Sequence, residues 1–275
     1  MIYTFGDTHG SHDIAKLFYG GIEFKKDDYI IICGDFGVIW NDKKDEREIA
    51  LESRLNALPC EVLFVDGNHE NFNRIYALPQ VEKFNSIVGQ YSSNIFHLRR
   101  GHIYNIDNMN FLTMGGALSI DKNWRVRDIS WWKQEAITES ELNLALKNIE
   151  SFENNIDFVL SHTLPQRAVR KASKYMRTYH KEHDENPLKI EKIFESLKDK
   201  KHNVKAWICG HWHKDISFSM PFLPRKQLKF FVLYNGISVG IDKDKKIKEV
   251  ELQNNKYFTT ELAYEIYEKQ ESQKA

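Results

Sequence analysis

Short apolar runs separated by charged stretches divide the chain into strand-like and helix-like segments. The runs at 2–5, 29–33, 62–65, 158–160 and 206–209 are nearly continuous in Ile, Val, Leu, Phe and Cys, as expected of strands buried on both faces. Residues 12–19 and 45–57 read as helices, the second placing Ile49, Leu51, Leu55 and Leu58 on or near one face. Strand and helix alternate through the first third, which argues for parallel pairing. Residues 102–106 and 109–114 flank the turn-forming pair Asp107-Asn108 and predict a hairpin. Helical patterns return at 139–152 and 188–197, strands at 229–233 and 247–252, and the tail at 259–275 is helical in pattern before fraying. Such a mixture predicts two mixed sheets face to face with helices outside. No Pro/Gly/Ser-rich linker divides the chain, so residues 1–275 are read as one domain.

Each of five polar clusters sits where one of the apolar runs ends: Gly6-Asp7-Thr8-His9-Gly10, Gly34-Asp35, Gly67-Asn68-His69-Glu70, Ser161-His162 and Gly210-His211-Trp212-His213. In stacked α/β sheets, ligands gather at the carboxyl ends of strands, so residues distant in sequence can converge there. As coordination chemistry the clusters supply two carboxylates (Asp7, Asp35), an amide oxygen (Asn68) and four imidazoles (His9, His162, His211, His213). One ion takes about four protein ligands. Two ions sharing a carboxylate use the whole set. A mixed nitrogen and oxygen set without thiolate suits Mn, Fe or Zn better than Mg, and Mn is the first expectation. Two such ions about 3.5–4 Å apart clamp a phosphoryl group and hold a bridging water as hydroxide at neutral pH. Hydrolysis of a phosphate ester follows as the expected chemistry.

The ordered pattern Asp-x-His, Gly-Asp, Gly-Asn-His, lone His and Gly-His-x-His resembles the calcineurin-like metallophosphoesterase superfamily, over blocks spanning residues 7 to 213. That resemblance implies an α/β fold: a four-layer α/β/β/α sandwich of two mixed β-sheets flanked by helices. It also implies two divalent metal ions, the first held by Asp7, His9, Asp35 and His213, the second by Asp35, Asn68, His162 and His211, with Asp35 bridging. His69 is not a ligand in the family pattern; it faces the phosphate and stabilises the transition state or protonates the leaving oxygen. One block departs. Protein phosphatases of the superfamily carry Gly-Asp-x-x-Asp-Arg-Gly, whose Arg binds phosphate, whereas this chain reads Gly34-Asp35-Phe36-Gly37-Val38-Ile39-Trp40. The terminal Gly-His-x-His belongs more to the nuclease, phosphodiesterase and small-substrate branches.

Lys+Arg and Asp+Glu each total 39, so no global field attracts long nucleic acid and an anionic substrate must meet a local patch. The chain opens on a strand ending in a candidate ligand, leaving no room for a cleaved signal peptide, and no apolar run approaches the ~20 residues of a membrane span. Three cysteines, Cys33, Cys60 and Cys209, fit reduced thiols, and a cytoplasmic enzyme is the expectation.

Two segments are candidates for choosing the substrate. Loop 115–135 combines Lys122, Arg125 and Arg127 with Trp124, Trp131 and Trp132, a set able to grip phosphate with guanidinium forks and a base by stacking. The competing reading pairs the arginines with Asp121 and Asp128 and puts the tryptophans in the core. Segment 165–186 carries Arg167, Arg170, Lys171, Lys174, Arg177 and Lys181 on one arc of a predicted basic helix beside His162, either steering a polyanion or forming a solvated face. His12, His97, His102, His180, His183 and His202 lie outside the blocks and read as structural, His12 being nearest the site; Gly89 and Gly101 read as turn residues.

The sequence thus points to a dinuclear-metal-dependent phosphoric ester hydrolase in which metal-bound hydroxide attacks phosphorus in line. A phosphodiesterase or nuclease acting on nucleic acid or nucleotide is preferred to a phosphomonoesterase of the protein Ser/Thr phosphatase or nucleotide phosphatase kind. An inactive binding scaffold would have lost ligands, and here the set is complete.

Overall fold

The structure, a computed structural model, describes residues 1–175 and 184–253. One sheet contains β1 (Ile2–Phe5), β2 (Tyr29–Cys33), β3 (Glu61–Val65), β4 (Gln80–Lys83), β5 (Ser86–Gln90), β6 (Ile95–Leu98), β13 (Ile237–Ile241) and β14 (Ile247–Glu251). Their spatial order is β14-β13-β1-β2-β3-β6-β5-β4. The other sheet contains β7 (Ile103–Ile106), β8 (Met109–Met114), β9 (Phe158–Ser161), β10 (Ala206–Cys209), β11 (Ile216–Leu223) and β12 (Lys226–Val232), in the order β11-β12-β10-β9-β8-β7. Helices are α1 (Lys16–Tyr19), α2 (Glu46–Asn56), α3 (Phe72–Tyr76), α4 (Glu139–Ser151), α5 (Gln166–Ala172) and α6 (Asn186–Asp199).

Alternation along each central strand explains the layers. In β2, Ile31 faces inward to meet Leu63, Phe158, Leu160 and Ile208 between the sheets, while Ile30 and Ile32 face outward against Leu17, Leu51 and Leu55 of α1 and α2. On the far side, Leu142, Val169 and Ile193 of α4, α5 and α6 cover Leu112, Val159 and Trp207. Both faces of both sheets are therefore buried, which is why the central strands read as unbroken apolar runs. The result is the expected four-layer α/β/β/α sandwich. Helix starts are set locally: Asp45 accepts from Glu48 N at 2.8 Å to cap α2, and Thr138 with Glu141 forms a capping box on α4.

Several expectations change in detail. Only 16–19 of the expected helix 12–19 is helical, because Asp13 is drawn toward His9 and Asn235 and the chain around it turns instead. The Asp107-Asn108 hairpin forms between β7 and β8 with φ of 48° and 60° at the two turn residues. Strands β4, β5, β6, β11 and β13 had no sequence-level expectation; β4 and β11 are edge strands whose polar alternation gives only a weak signal, and Pro221 is tolerated on the β11 edge. Gly89 lies inside β5, paired with Gln80 and His97, rather than in a turn. The helix begun at 165 is described as α5, ending at Ala172. Residues 176–183 of that expected helix, with Arg177, His180, Lys181 and His183, and the expected tail helix at 259–275 lie outside the described residues.

Candidate metal centre

Strands β1, β2 and β3 run parallel, as do β9 and β10, so each sheet delivers its polar loops to a common edge. Registers Phe5↔Ile32 and Cys33↔Val65 set Asp7, Asp35 and Asn68 just beyond adjacent strand ends. The chain turns sharply there. Of the twelve non-glycine residues with positive φ among the described residues, four are candidate ligands: His9 (42°), Asp35 (49°), His211 (69°) and His213 (47°). Such backbone costs of order 1–3 kcal/mol per residue and persists where surrounding structure enforces it. Glycines make room: a Cβ on Gly34 would lie 2.0 Å from His162 Nδ1, and one on Gly67 would lie 2.0 Å from Asp35 Oδ1. The glycines of the Gly-Asp and Gly-Asn-His blocks are thus demanded by side chains packed against them.

All seven candidate ligands converge. Donor atoms of Asp7, His9, Asp35 and His213 lie within 4.8 Å of one another, with His213 Nε2 3.1 Å from Asp7 Oδ2 and His9 Nε2 3.3 Å from Asp35 Oδ2. On the other side of Asp35, His162 Nε2 is 3.3 Å from Oδ1 and 3.1 Å from Asn68 Oδ1, which is 3.0 Å from His211 Nδ1. The two oxygens of Asp35 therefore face two separate donor groups. The residues fit two cations of the kind expected from their mixed nitrogen and oxygen chemistry.

Further residues, given no orienting role by the sequence, orient these donors. Asp13 Oδ2 lies 2.8 Å from His9 Nδ1, and the Cys33 carbonyl lies 2.9 Å from His162 Nδ1. Each contact places the ring proton on Nδ1 and leaves Nε2 free to ligate. Asn68 Nδ2 donates to Ser119 Oγ at 3.1 Å, and Ser119 donates to Glu135 Oε2 at 2.6 Å, so the amide oxygen must point at the histidines. Glu70 is buried and accepts from Phe36 N and Gly37 N at 2.7 and 3.1 Å, tying the Asp35 loop to the Asn68 loop. Buried Lys16 donates to the carbonyls of Asp7 and Tyr234. A lone acid or lysine next to a motif carries no sequence signal for these tasks.

Electrostatics match the donor set. Burial opposes ionisation of Asp7, but His213 and His162 outweigh it and bring the carboxyl down to about 2. Asp35 is likewise held well below the usual carboxylate range against burial, chiefly by His162 and His69. Burial also works against a charge on His9 and His162, yet Asp13 and Asp35 raise His9 to about 10, and Asp35 with Asp7 raises His162 to about 9. Burial and the His162 charge push His211 down to about 3. The cluster draws cationic charge onto itself, and a metal ion would take the place of the imidazole protons.

A pocket of about 1130 Å³ opens over the centre, its wall including Trp40, Arg47, Ile120, Arg125, Trp212 and Tyr234. His69 lines it, with a ring 5.4 Å from that of His9 and stacked near Trp40. Burial lowers its pKa, with Arg125 and His9 adding to the effect. Loop 115–135 divides. Arg125 enters the pocket, placing Nη2 2.8 Å from His69 Nδ1 while Nε pairs with Asp121 at 2.8 Å. Lys122, Trp124 and Arg127 do not line it: Trp124 is 90% exposed, and Arg127 faces Asp128 at 3.5 Å. Trp132 is core, as the structural alternative for the loop expects. Arg167, in the basic segment, pairs with Glu191 and Glu195 of α6. His97 pairs with Asp66 at 2.9 Å, His102 contacts Ser86 and His202 contacts Ile149 O, all away from the centre, whereas His12 lines the pocket. Cys33, Cys60 and Cys209 are free and buried. Among the described residues no helix is long and apolar enough to cross a membrane.

The sequence model of the calcineurin-like phosphoesterase family matches residues 1–215, and the chain belongs to that family. The family is one of metal-dependent phosphoester hydrolases. The chain is also similar to the lariat debranching enzyme of Schizosaccharomyces pombe, 24% identical over 223 residues that cover 74% of this chain and 46% of that protein. It spans about half the length of that relative.

Proposed function

We propose that the chain is a dinuclear phosphodiesterase whose substrate is a nucleic acid or nucleotide. The observation that carries this reading is the split of Asp35: Oδ2 faces His9, Oδ1 faces His162, and one carboxylate serves two donor groups. Asp7, His9, Asp35 and His213 would hold one cation, and Asp35, Asn68, His162 and His211 the other. Bound there, two divalent ions, manganese by preference or iron or zinc, supply Lewis-acid polarisation of the phosphoryl group and a nucleophile at neutral pH.

The remaining work falls to the chain. A guanidinium only donates, so His69 Nδ1, 2.8 Å from Arg125 Nη2 against 3.4 Å for Nε2, is the acceptor, and the proton sits on Nε2. A His69 held neutral in this way serves as a hydrogen-bond donor to an equatorial phosphate oxygen as charge builds there. Trp40 stacks on His69 and fixes its ring plane. Arg125, which lines the pocket, would hold a phosphate in this reading; Lys122, Trp124 and Arg127 would form an outer surface of the same loop on which a longer polymer lies. Similarity to a debranching enzyme leans toward a diester over a monoester.

Loop 115–135 and segment 165–186 act in this reading as the substrate side of one domain. Three free buried thiols favour a reducing compartment such as the cytoplasm. The test is a comparison of bis-p-nitrophenyl phosphate, p-nitrophenyl phosphate, oligonucleotides, nucleotides and phosphopeptides on manganese-loaded protein. Highest kcat/KM on the diesters is expected. Turnover confined to monoesters would replace this reading with a phosphomonoesterase.

A further inference from the structure

We propose that Arg47 is a phosphate-binding residue of this centre, a guanidinium that takes a non-bridging oxygen of a substrate phosphate. The assignment rests on the phosphoester reading above. Arg47 lies in the first turn of α2 and lines the same pocket as His9, Asp35 and Asn68. It is half-buried, yet its hydrogen bonds are two long ones, from Nη2 to Gly37 O at 3.4 Å and to Val38 O at 3.3 Å. No carboxylate among the described residues pairs with it.

Other inward arginines differ. Arg74 meets both Glu48 oxygens at 2.6 and 2.7 Å, and Arg100 meets Asp66 at 2.6 Å. Acidic groups on the pocket wall near Arg47 are already engaged: Asp45 caps α2 and accepts from Asn41, while Asp13 holds His9 and Asn235. A guanidinium has five N–H donors, and partly buried donors demand acceptors. Those of Arg47 have the pocket to turn to.

Room for the group is built in. A Cβ on Gly10, whose φ is +59°, would lie 2.5 Å from Gly37 O and 2.6 Å from Arg47 Nη1, so the glycine that the backbone requires there also leaves the guanidinium space along the turn that carries His9. Arg47 and Arg125 thus reach one pocket from separate elements, α2 and loop 115–135. An anion whose oxygens are shared between a metal centre and planar guanidinium forks is a phosphate group. It can be the scissile phosphate or a neighbouring one of the same polymer, and the assays below separate the two.

Arg47→Gln and Arg47→Lys are compared with wild type in manganese-loaded protein, with metal content and Tm measured on each. Inorganic phosphate is titrated calorimetrically, and KM is measured for bis-p-nitrophenyl phosphate and for a trinucleotide. Loss of a charge-assisted contact should weaken phosphate binding or raise KM by about 10- to 100-fold in the Gln variant, with metals and Tm intact, and the Lys variant should recover part of it. An equal rise for both diesters places Arg47 on the scissile phosphate; a rise for the trinucleotide alone places it on a neighbouring one. Wild-type phosphate affinity and wild-type KM for both substrates in the Gln variant overturn the proposal, as does an effect confined to Tm. Should wild-type protein cleave neither diester, the phosphodiesterase reading falls, while the phosphate titration still decides the role of Arg47.

Discussion

Asn68 Nδ2 donates to Ser119 Oγ at 3.1 Å, and this bond directs the oxygen end of the Asn68 amide toward His162 and His211. It also joins loop 115–135 to the metal centre through the Ser119–Glu135 hydrogen bond. Ser119→Ala should leave the fold intact and lower affinity for the second cation by about 10- to 100-fold, the usual cost of losing a partner that orients a ligand. Metal titration followed by calorimetry checks this. Two unaltered binding events would mean that the amide is held by other contacts.

Asp35→Asn removes the charge shared between two cations, whose mutual repulsion then disfavours double occupancy. Metal content per chain should fall below two and turnover should be lost. Because Asp35 Oδ1 also accepts from the Asn68 and His69 backbone N–H groups at 2.7 Å each, the variant should be checked by circular dichroism for retained fold. A variant that binds two equivalents and keeps wild-type rate rejects the dinuclear arrangement.

His69→Ala should retain both metals while kcat falls by about 10²–10⁴, the range for an electrostatic donor or general acid. The Arg125 contact favours a neutral ring acting as a donor, so the loss should be equal for p-nitrophenolate and for a poor leaving group. A much larger loss with the poor leaving group would reassign His69 as the general acid.

Metal loading should release protons. His9 is raised to about 10 and His162 to about 9, so at pH 7.5 both carry a proton that a cation must displace. Affinity should therefore climb with pH by up to roughly tenfold per unit for each cation, up to about 10 for the one that His9 would hold and about 9 for the one that His162 would hold. The sign for the metal-free fold is opposite: raised imidazole pKa values give stability that is full below about 6.5, the ordinary imidazole value, and lost as pH rises through 9 to 10. Calorimetry in buffers of different ionisation enthalpy reads the proton count. Binding heats independent of buffer would contradict the displacement.

What the sequence determined by itself was the candidate donor set and the chemistry expected of it. Asp7, His9, Asp35, Asn68, His162, His211 and His213 each follow an apolar run, and runs buried on both faces are legible because every residue in them must be apolar. Parallel order in the first third, and with it a common edge for the ligands, followed from the alternation of strand and helix. Edge strands such as β4 and β11 escaped notice because one face is solvated and nothing forces their composition. Only the tertiary structure decided the surroundings of the centre. Asp13, Ser119, Glu135 and Glu70 act through hydrogen bonds between loops, and a single carboxylate or hydroxyl in a sequence has no period and no fixed partner. It decided also between the cations of loop 115–135, sending Arg125 into the pocket and Arg127 to its surface, because the side on which a loop residue emerges depends on the turn that the whole loop takes across the fold. Arg47 belongs to the same class: its place in the pocket follows from where α2 packs and from a glycine at position 10 that leaves room for it.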